Sequence, residues 1–149
     1  MGTTTTVIDQ SNFLGAVTDV SKIFLGGNQT EADTYINNSG YDPITLIAGT
    51  VLGRIGSTGI LVPTISTASD GSQNVLGILM QDLVIESGDT VSALVCVSGR
   101  VAAEKLVFVK PGDSLTTAVS NRQYRDKIQG ETVGVKLVYS AENTYPDNY

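Results

Sequence analysis

The stretch from Gly49 to Leu79, GTVLGRIGSTGILVPTISTASDGSQNVLGIL, constrains the fold more than any other part of the chain. Val51, Leu52 and Ile55 lead into the turn Gly56-Ser57-Thr58-Gly59, and Ile60, Leu61 and Val62 follow it until Pro63 stops them. A polar loop, Asp70-Gly71-Ser72-Gln73, then precedes a third apolar run from Val75 to Leu79. Short β-branched and aliphatic runs bounded by Gly, Pro, Asp and Ser predict strands of a meandering antiparallel sheet. The spacing of Gly53, Gly56 and Gly59 imitates a phosphate-binding loop, but such loops open a helix. Here the third glycine opens a strand, so these read as hairpin glycines.

The same alternation continues on both sides. Ile44 to Ile47 form an apolar run, and Asp82 to Asp89 read as an acidic connection around Leu83, Val84 and Ile85. Thr90 to Val97 alternates, with Val91, Ala93, Val95 and Val97 on one face and Ser92, Leu94 and Cys96 on the other. So apolar a second face predicts a strand covered on both sides. Ser98-Gly99 turns into Arg100 to Ala103, Leu106 to Val109 reads as a short strand, and Pro111-Gly112-Asp113 turns again. Ser114 to Lys127 is the helix expected in the body, although Thr116, Thr117 and Val119 weaken it. Val133 to Tyr139 alternates as a closing strand, and Ala141 to Tyr149 is a polar tail.

Residues 1–42 differ in character. After a threonine tract, Val7, Ile8, Phe13, Leu14, Val17, Val20, Ile23, Phe24 and Leu25 recur at spacings that fit neither period throughout. Phe13, Val17, Val20 and Phe24 fall on one helical face, so residues 11–25 read as helix or mixed structure ended by Gly26-Gly27-Asn28. A polar stretch from Gln29 to Asp42 reads as a linker, with Asn37-Asn38-Ser39-Gly40 as its turn. An apolar set this small cannot fold alone and must dock on its own body, a sister subunit or another protein. The expected organisation is therefore an N-terminal extension over 1–42, a β-rich domain over 43–140 and a tail over 141–149.

Composition narrows the chemistry. The chain of 149 residues has no histidine, a single cysteine and a net charge of −6. An acidic chain argues against a nucleic-acid surface, and the nearest basic cluster, Arg122, Arg125 and Lys127, is interrupted by Asp126. Lone Cys96 between two valines reads as a small buried apolar group. Without histidine the usual nucleophile-plus-imidazole routes are closed. The carboxylate pairs Asp82/Glu86, Asp89/Glu104 and Asp113/Asp126 lack a companion that would make an acid–base site. A calcium loop at Asp70 to Gln73 would need more carboxylates than the one present. No catalytic residue, cofactor or metal is expected, and the chain reads as a non-enzyme. No apolar run spans a bilayer, so no membrane partner is expected either.

The phrase AGTVLGRI, then TG, LVP and ASDGSQ, then VLGIL, followed by GDTVSALV, resembles the head decoration proteins of tailed bacteriophages. The resemblance covers about residues 41–108 and continues more weakly beyond. It implies a mainly β fold: a small β-barrel or β-tulip-like body with one short helix, here carrying an N-terminal extension. It also implies a capsid-stabilising structural protein on the outer surface of the virion, made in the host cytoplasm. Such proteins bind the expanded shell of major capsid protein as homotrimers at three-fold or quasi-three-fold sites. Head-fibre proteins, which share a similar attachment base, are a related possibility. On this reading the expected capsid or subunit contacts are Val7, Ile8, Phe13, Leu14, Val17 and Phe24. The alternative is a virion-surface ligand- or glycan-binding β-domain, with Tyr139, Tyr145 and Tyr149 as aromatic platforms for a host-surface glycan.

Overall fold

A computed structural model describes residues 19–31, 34–38, 40, 42–131 and 134–139. A 3₁₀ turn over Val20–Lys22, capped by the Asp19 carboxylate accepting from Ser21 N–H, leads into strand β1, Phe24–Glu31. There follow β2 (Tyr35–Asn37), β3 (Ile44–Leu46), β4 (Val51–Arg54), β5 (Leu61–Pro63) and β6 (Val75–Leu79). Next come β7 (Leu83–Ile85), β8 (Thr90–Ser92), β9 (Val95–Ala102), β10 (Ala118–Val119) and β11 (Arg122–Gln123). A single helical turn, α1 (Tyr124–Asp126), continues as a π-helical stretch, Lys127–Glu131, before β12 (Gly134–Val138).

The protein is mainly β, and its principal sheet curls into a half-barrel. Eight strands make this sheet, in the order β12-β9-β6-β4-β5-β2-β8, with β1 also paired to β9. Strand β9 organises one end. β1 runs antiparallel along one flank, while β6 pairs with its first residues and β12 runs parallel to its later ones. Strands β3 and β7 form a separate antiparallel pair, and β10 and β11 form a small hairpin.

Period-2 alternation makes the sheet two-sided. Val51, Ile78 and Cys96 face one core, with Val101, Tyr124, Ile128, Val135 and Leu137. Their chain neighbours Leu52, Leu79 and Val95 face a second core, with Ile36, Leu46, Leu61 and Ile85. Both faces of the central strands are therefore covered, as the apolar second face of the 90–97 run predicts.

Several local expectations fail for identifiable reasons. The 49–79 stretch is not a simple meander, because β6 pairs with β4 rather than β5. The polar segment after Pro63 carries the chain back across β4. Two pairings, β2 with β5 and β9 with β12, are parallel, so the sheet is mixed. The predicted helix over Ser114 to Lys127 is instead a turn, the β10–β11 hairpin and α1. Ser120 and Asn121 both take positive φ, 55° and 68°, the geometry of a two-residue hairpin turn.

Gly26-Gly27 does not end an element either, since β1 passes through both as it shifts register against β9. The stretch Gln29 to Asp42 is not all linker: it carries the end of β1 and all of β2, both paired into the sheet. The acidic connection holds β7, and the 90–97 run breaks at Ala93-Leu94 into β8 and the start of β9. Leu106 to Val109 contributes only the Thr50–Val107 bridge.

Candidate functional site

The polar loop Asp70 to Asn74 lies against β4 and is pinned from three directions. Gly56 N–H donates to Asp70 O at 2.8 Å, Ile65 N–H to Ser72 O at 3.4 Å, and Tyr124 Oη–H to Gln73 O at 2.9 Å. Within the loop the Asp70 carboxylate accepts from Ser72 Oγ at 2.6 Å and Ser72 N at 3.0 Å. Those two bonds, the hydroxyl's first, hold its pKa below the ordinary carboxylate value. Both Asp70 acceptor bonds close inward on its own loop, which is the geometry of a turn rather than of a calcium chelate.

Tyr124 ties this loop to the core. Its side chain is fully buried, its ring stacks on Phe108 at 5.4 Å between centroids, and its hydroxyl reaches the loop backbone. Burial, and then the negative charge of Asp113, push its pKa up to about 12, partly offset by the Thr64 hydroxyl. A phenol whose folded pKa is raised favours the fold while protonated. That preference is complete below the unfolded value near 10 and is lost as pH rises toward 12. Wild-type protein is therefore expected to lose more urea resistance between pH 9.5 and 11.5 than Tyr124→Phe does. Parallel pH profiles for the two proteins would refute this.

The residues that chemistry would have used have structural tasks. Asp82 Oδ1 accepts from Ala48 N–H at 2.8 Å. Asp113 accepts from Ser66 Oγ at 2.6 Å and Ser66 N at 3.1 Å, with Lys110 Nζ at 3.8 Å. Cys96 is buried, contacted by Asn28 Nδ2 at 3.5 Å and directed to Ser98 O at 3.1 Å; burial raises its pKa. A thiol so placed is a packing group, not an activated thiolate. The basic run is divided, because Arg122 and Arg125 are exposed whereas Lys127 is buried with Nζ 3.4 Å from Asn74 Oδ1. Among the described residues no Cys, Asp or Glu cluster has the geometry to hold a metal ion, and no helix is long and apolar enough to cross a membrane.

Of the predicted contact residues, Val7, Ile8, Phe13, Leu14 and Val17 lie outside the described residues. Phe24 is at the start of β1, paired with Val101 and half-buried against the first core. Of the proposed aromatic platforms, Tyr139 also packs on that core, while Tyr145 and Tyr149 lie outside the described residues. A feature the sequence reading passed over is an apolar cleft of about 380 Å³. Ala103, Leu106, Phe108 and Leu115 line it, with Asp113, Ser114 and Thr116 at its polar side. Its walls come from turns whose apolar residues follow no period, so no sequence pattern announces it.

The arrangement is one of pinned loops and covered sheet faces. A family model for the bacteriophage lambda head decoration protein D matches residues 27–123. This span runs from β1 to the end of β11 and covers well over half of the 149 residues. The chain belongs to that family. It is a phage head decoration protein by family, and the match begins well ahead of Tyr41, taking in most of β1 and all of β2. A comparison with curated proteins gives no match.

Proposed function

We propose that this decoration protein binds the outer surface of the expanded major-capsid-protein shell as a homotrimer, at three-fold or quasi-three-fold sites. The observation that carries the reading is the family match across the β-rich body. The mechanism is mechanical. A trimer bridging neighbouring capsomers adds contact area where internal pressure would separate them, and each specific interface needs on the order of 1,000 Å². Repetition over many equivalent sites turns a modest contact into a strong one. An acidic chain suits an outer surface, because it has no electrostatic affinity for packaged nucleic acid.

In this reading the N-terminal extension enters the 43–140 body through β1 and β2. Val7, Ile8, Phe13, Leu14, Val17 and Phe24 supply contacts to the shell or to a sister subunit. The protein acts without catalysis. Purified protein added to undecorated expanded heads is expected to remain bound at stoichiometric occupancy and to raise the temperature at which the heads rupture. Heads that sediment without it would overturn the proposal. Binding as single copies scattered off the three-fold positions, seen by electron microscopy, would overturn its trimeric part.

A further inference from the structure

We infer that the Asp70-Gly71 peptide is a site of spontaneous isomerisation to isoaspartate, held closed in the fold by Gln73, Ser72 and Gly56. It is the one Asp-Gly pair in the chain, and there is no Asn-Gly pair. The reaction needs no cofactor. The Gly71 nitrogen attacks Cγ of the protonated Asp70 carboxyl: the N–Cγ bond forms, the Cγ–O bond breaks, and the amide proton leaves with the hydroxyl as water. Water then opens the five-membered imide. Attack at Cγ restores aspartate, whereas attack at the main-chain carbonyl leaves isoaspartate, with a backbone one methylene longer. Glycine favours the first step because no Cβ shields its nitrogen.

The fold cannot dispense with the pair. Gly71 has a φ of 107°, and a Cβ there would meet Arg54 O at 2.7 Å and Gly56 N at 3.0 Å, so a side chain is both strained and crowded. Asp70 closes the turn through its two bonds from Ser72. The reactive dipeptide is therefore fixed by the packing of its own loop, and protection has to come from the groups around it.

Each requirement of the attack is opposed by a bond. Gly71 N–H donates to Gln73 Oε1 at 2.9 Å, which fixes the attacking amide on another acceptor. Asp70 Oδ1 is held by Ser72 Oγ and N, which aim the carboxyl past Gly71 and keep it ionised, a poor electrophile. Ring closure also turns Asp70 about its Cα–C bond, but its carbonyl oxygen accepts from Gly56 N–H at 2.8 Å. Asp70 is exposed, so water is at hand and opening of this loop alone starts the reaction. The longer product has no place in the closed loop, because Ser72 O is already packed against Gly53 and held by Ile65 N–H. Conversion thus records, one way, the time the loop has spent open.

The test uses the full chain in the absence of heads, so its outcome is independent of capsid binding. Protein is aged at neutral pH, folded in buffer or unfolded in urea, and isoaspartate at residue 70 is measured by isoaspartyl methyltransferase labelling and fragmentation mass spectrometry. The folded wild type is expected to convert at least about tenfold more slowly than the unfolded chain. Equal rates would overturn the inference. Gln73→Met keeps the side-chain volume and the backbone carbonyl that Tyr124 uses, but removes the acceptor for Gly71 N–H. It is expected to close most of the gap while amide exchange in β4 and β6 stays slow. A folded Gln73→Met protein as durable as wild type would overturn the part given to Gln73. Exchange of the Gly71 amide in wild type supplies a reading without substitution: it is expected to be protected, and exchange at the unfolded rate would overturn the proposal.

Discussion

Replacing Gly53 by alanine is expected to lower the melting temperature by roughly 10 °C, while the same change at Gly56 shifts it by no more than about 2 °C. A Cβ on Gly53 would meet Ser72 O at 2.4 Å and Asn74 O at 2.6 Å. Both are backbone atoms of the loop that Tyr124 and Gly56 hold in place, so neither can rotate away. Relief requires the loop to lift off β4, which strains the Tyr124–Gln73 bond and the packing beneath it. Overpacking against rigid backbone costs about 3 kcal/mol or more, a large share of the stability of a domain this size. At Gly56 a Cβ would meet Asp70 O at 3.5 Å, an ordinary contact. There the reduced freedom of the unfolded chain offsets any loss. Circular dichroism melts of the two variants check the contrast, and equal shifts would show that the loop yields freely.

The second large effect is expected at Asn38. Its side chain is buried and fully used: Nδ2 donates to Asp42 O at 2.7 Å and Ile85 O at 2.9 Å, and Oδ1 accepts from Gly40 N–H at 2.9 Å. Its backbone closes two more bonds, to Asp89 O and from Gly88 N–H, so one residue joins the end of β2 to the loops flanking β3 and β8. Asn38→Leu leaves the buried Ile85 O unpaired and returns Asp42 O and Gly40 N–H, both in exposed residues, to solvent, so it is expected to cost about 2–3 kcal/mol.

Asn38→Asp gives a sharper test. A carboxylate would face two carbonyl oxygens, and burial with that repulsion raises its folded pKa above the unfolded value near 4. Such a group contributes stability below the unfolded pKa and loses it as pH rises through the folded one. The variant should therefore be nearer to wild type at pH 4 than at pH 7. Urea titrations at both pH values decide the matter, and a gap that narrows toward neutral pH would refute the account.

These two residues show what the sequence discloses and what it withholds. The β4–β5 hairpin was legible because aliphatic runs, a Gly-bounded turn and Pro63 agree with one another. Gly59 fits the turn assigned to it, with φ of 76°. Gly53 does not, since its constraint comes from a loop twenty residues later that no local pattern reveals. Asn38 looked like a turn residue for the same reason, because its partners at Asp42 and Ile85 appear only once β2, β3 and β7 are assembled.

The 114–127 region misled because its residues tolerate a helix. The deciding signal was the pair Ser120-Asn121, which accepts positive φ. β1 was missed because Gly26-Gly27-Asn28 reads as the end of a helical segment, whereas here two glycines allow β1 to bend along β9. Contact residues were the least legible part. Apolar side chains ahead of a domain announce that something must cover them, but no local pattern names the covering surface.

The way β9 is flanked has a consequence for how the molecule bears load. Val101 has Phe24 on one side and Leu137 on the other, so these two residues lie about 10 Å apart, one strand width to either side. β1 runs antiparallel to β9 and β12 parallel to it, which brings the first residue of one and the last residues of the other to the same end. A pull applied through both chain ends would peel the two ladders from that end, breaking their rungs in turn rather than together. The start of β1 and the end of β12 are thus the compliant point of the described fold. Force entering through the pinned loops and the covered sheet faces meets bonds that must break together, whereas force entering at Phe24 and Val138 meets them one at a time.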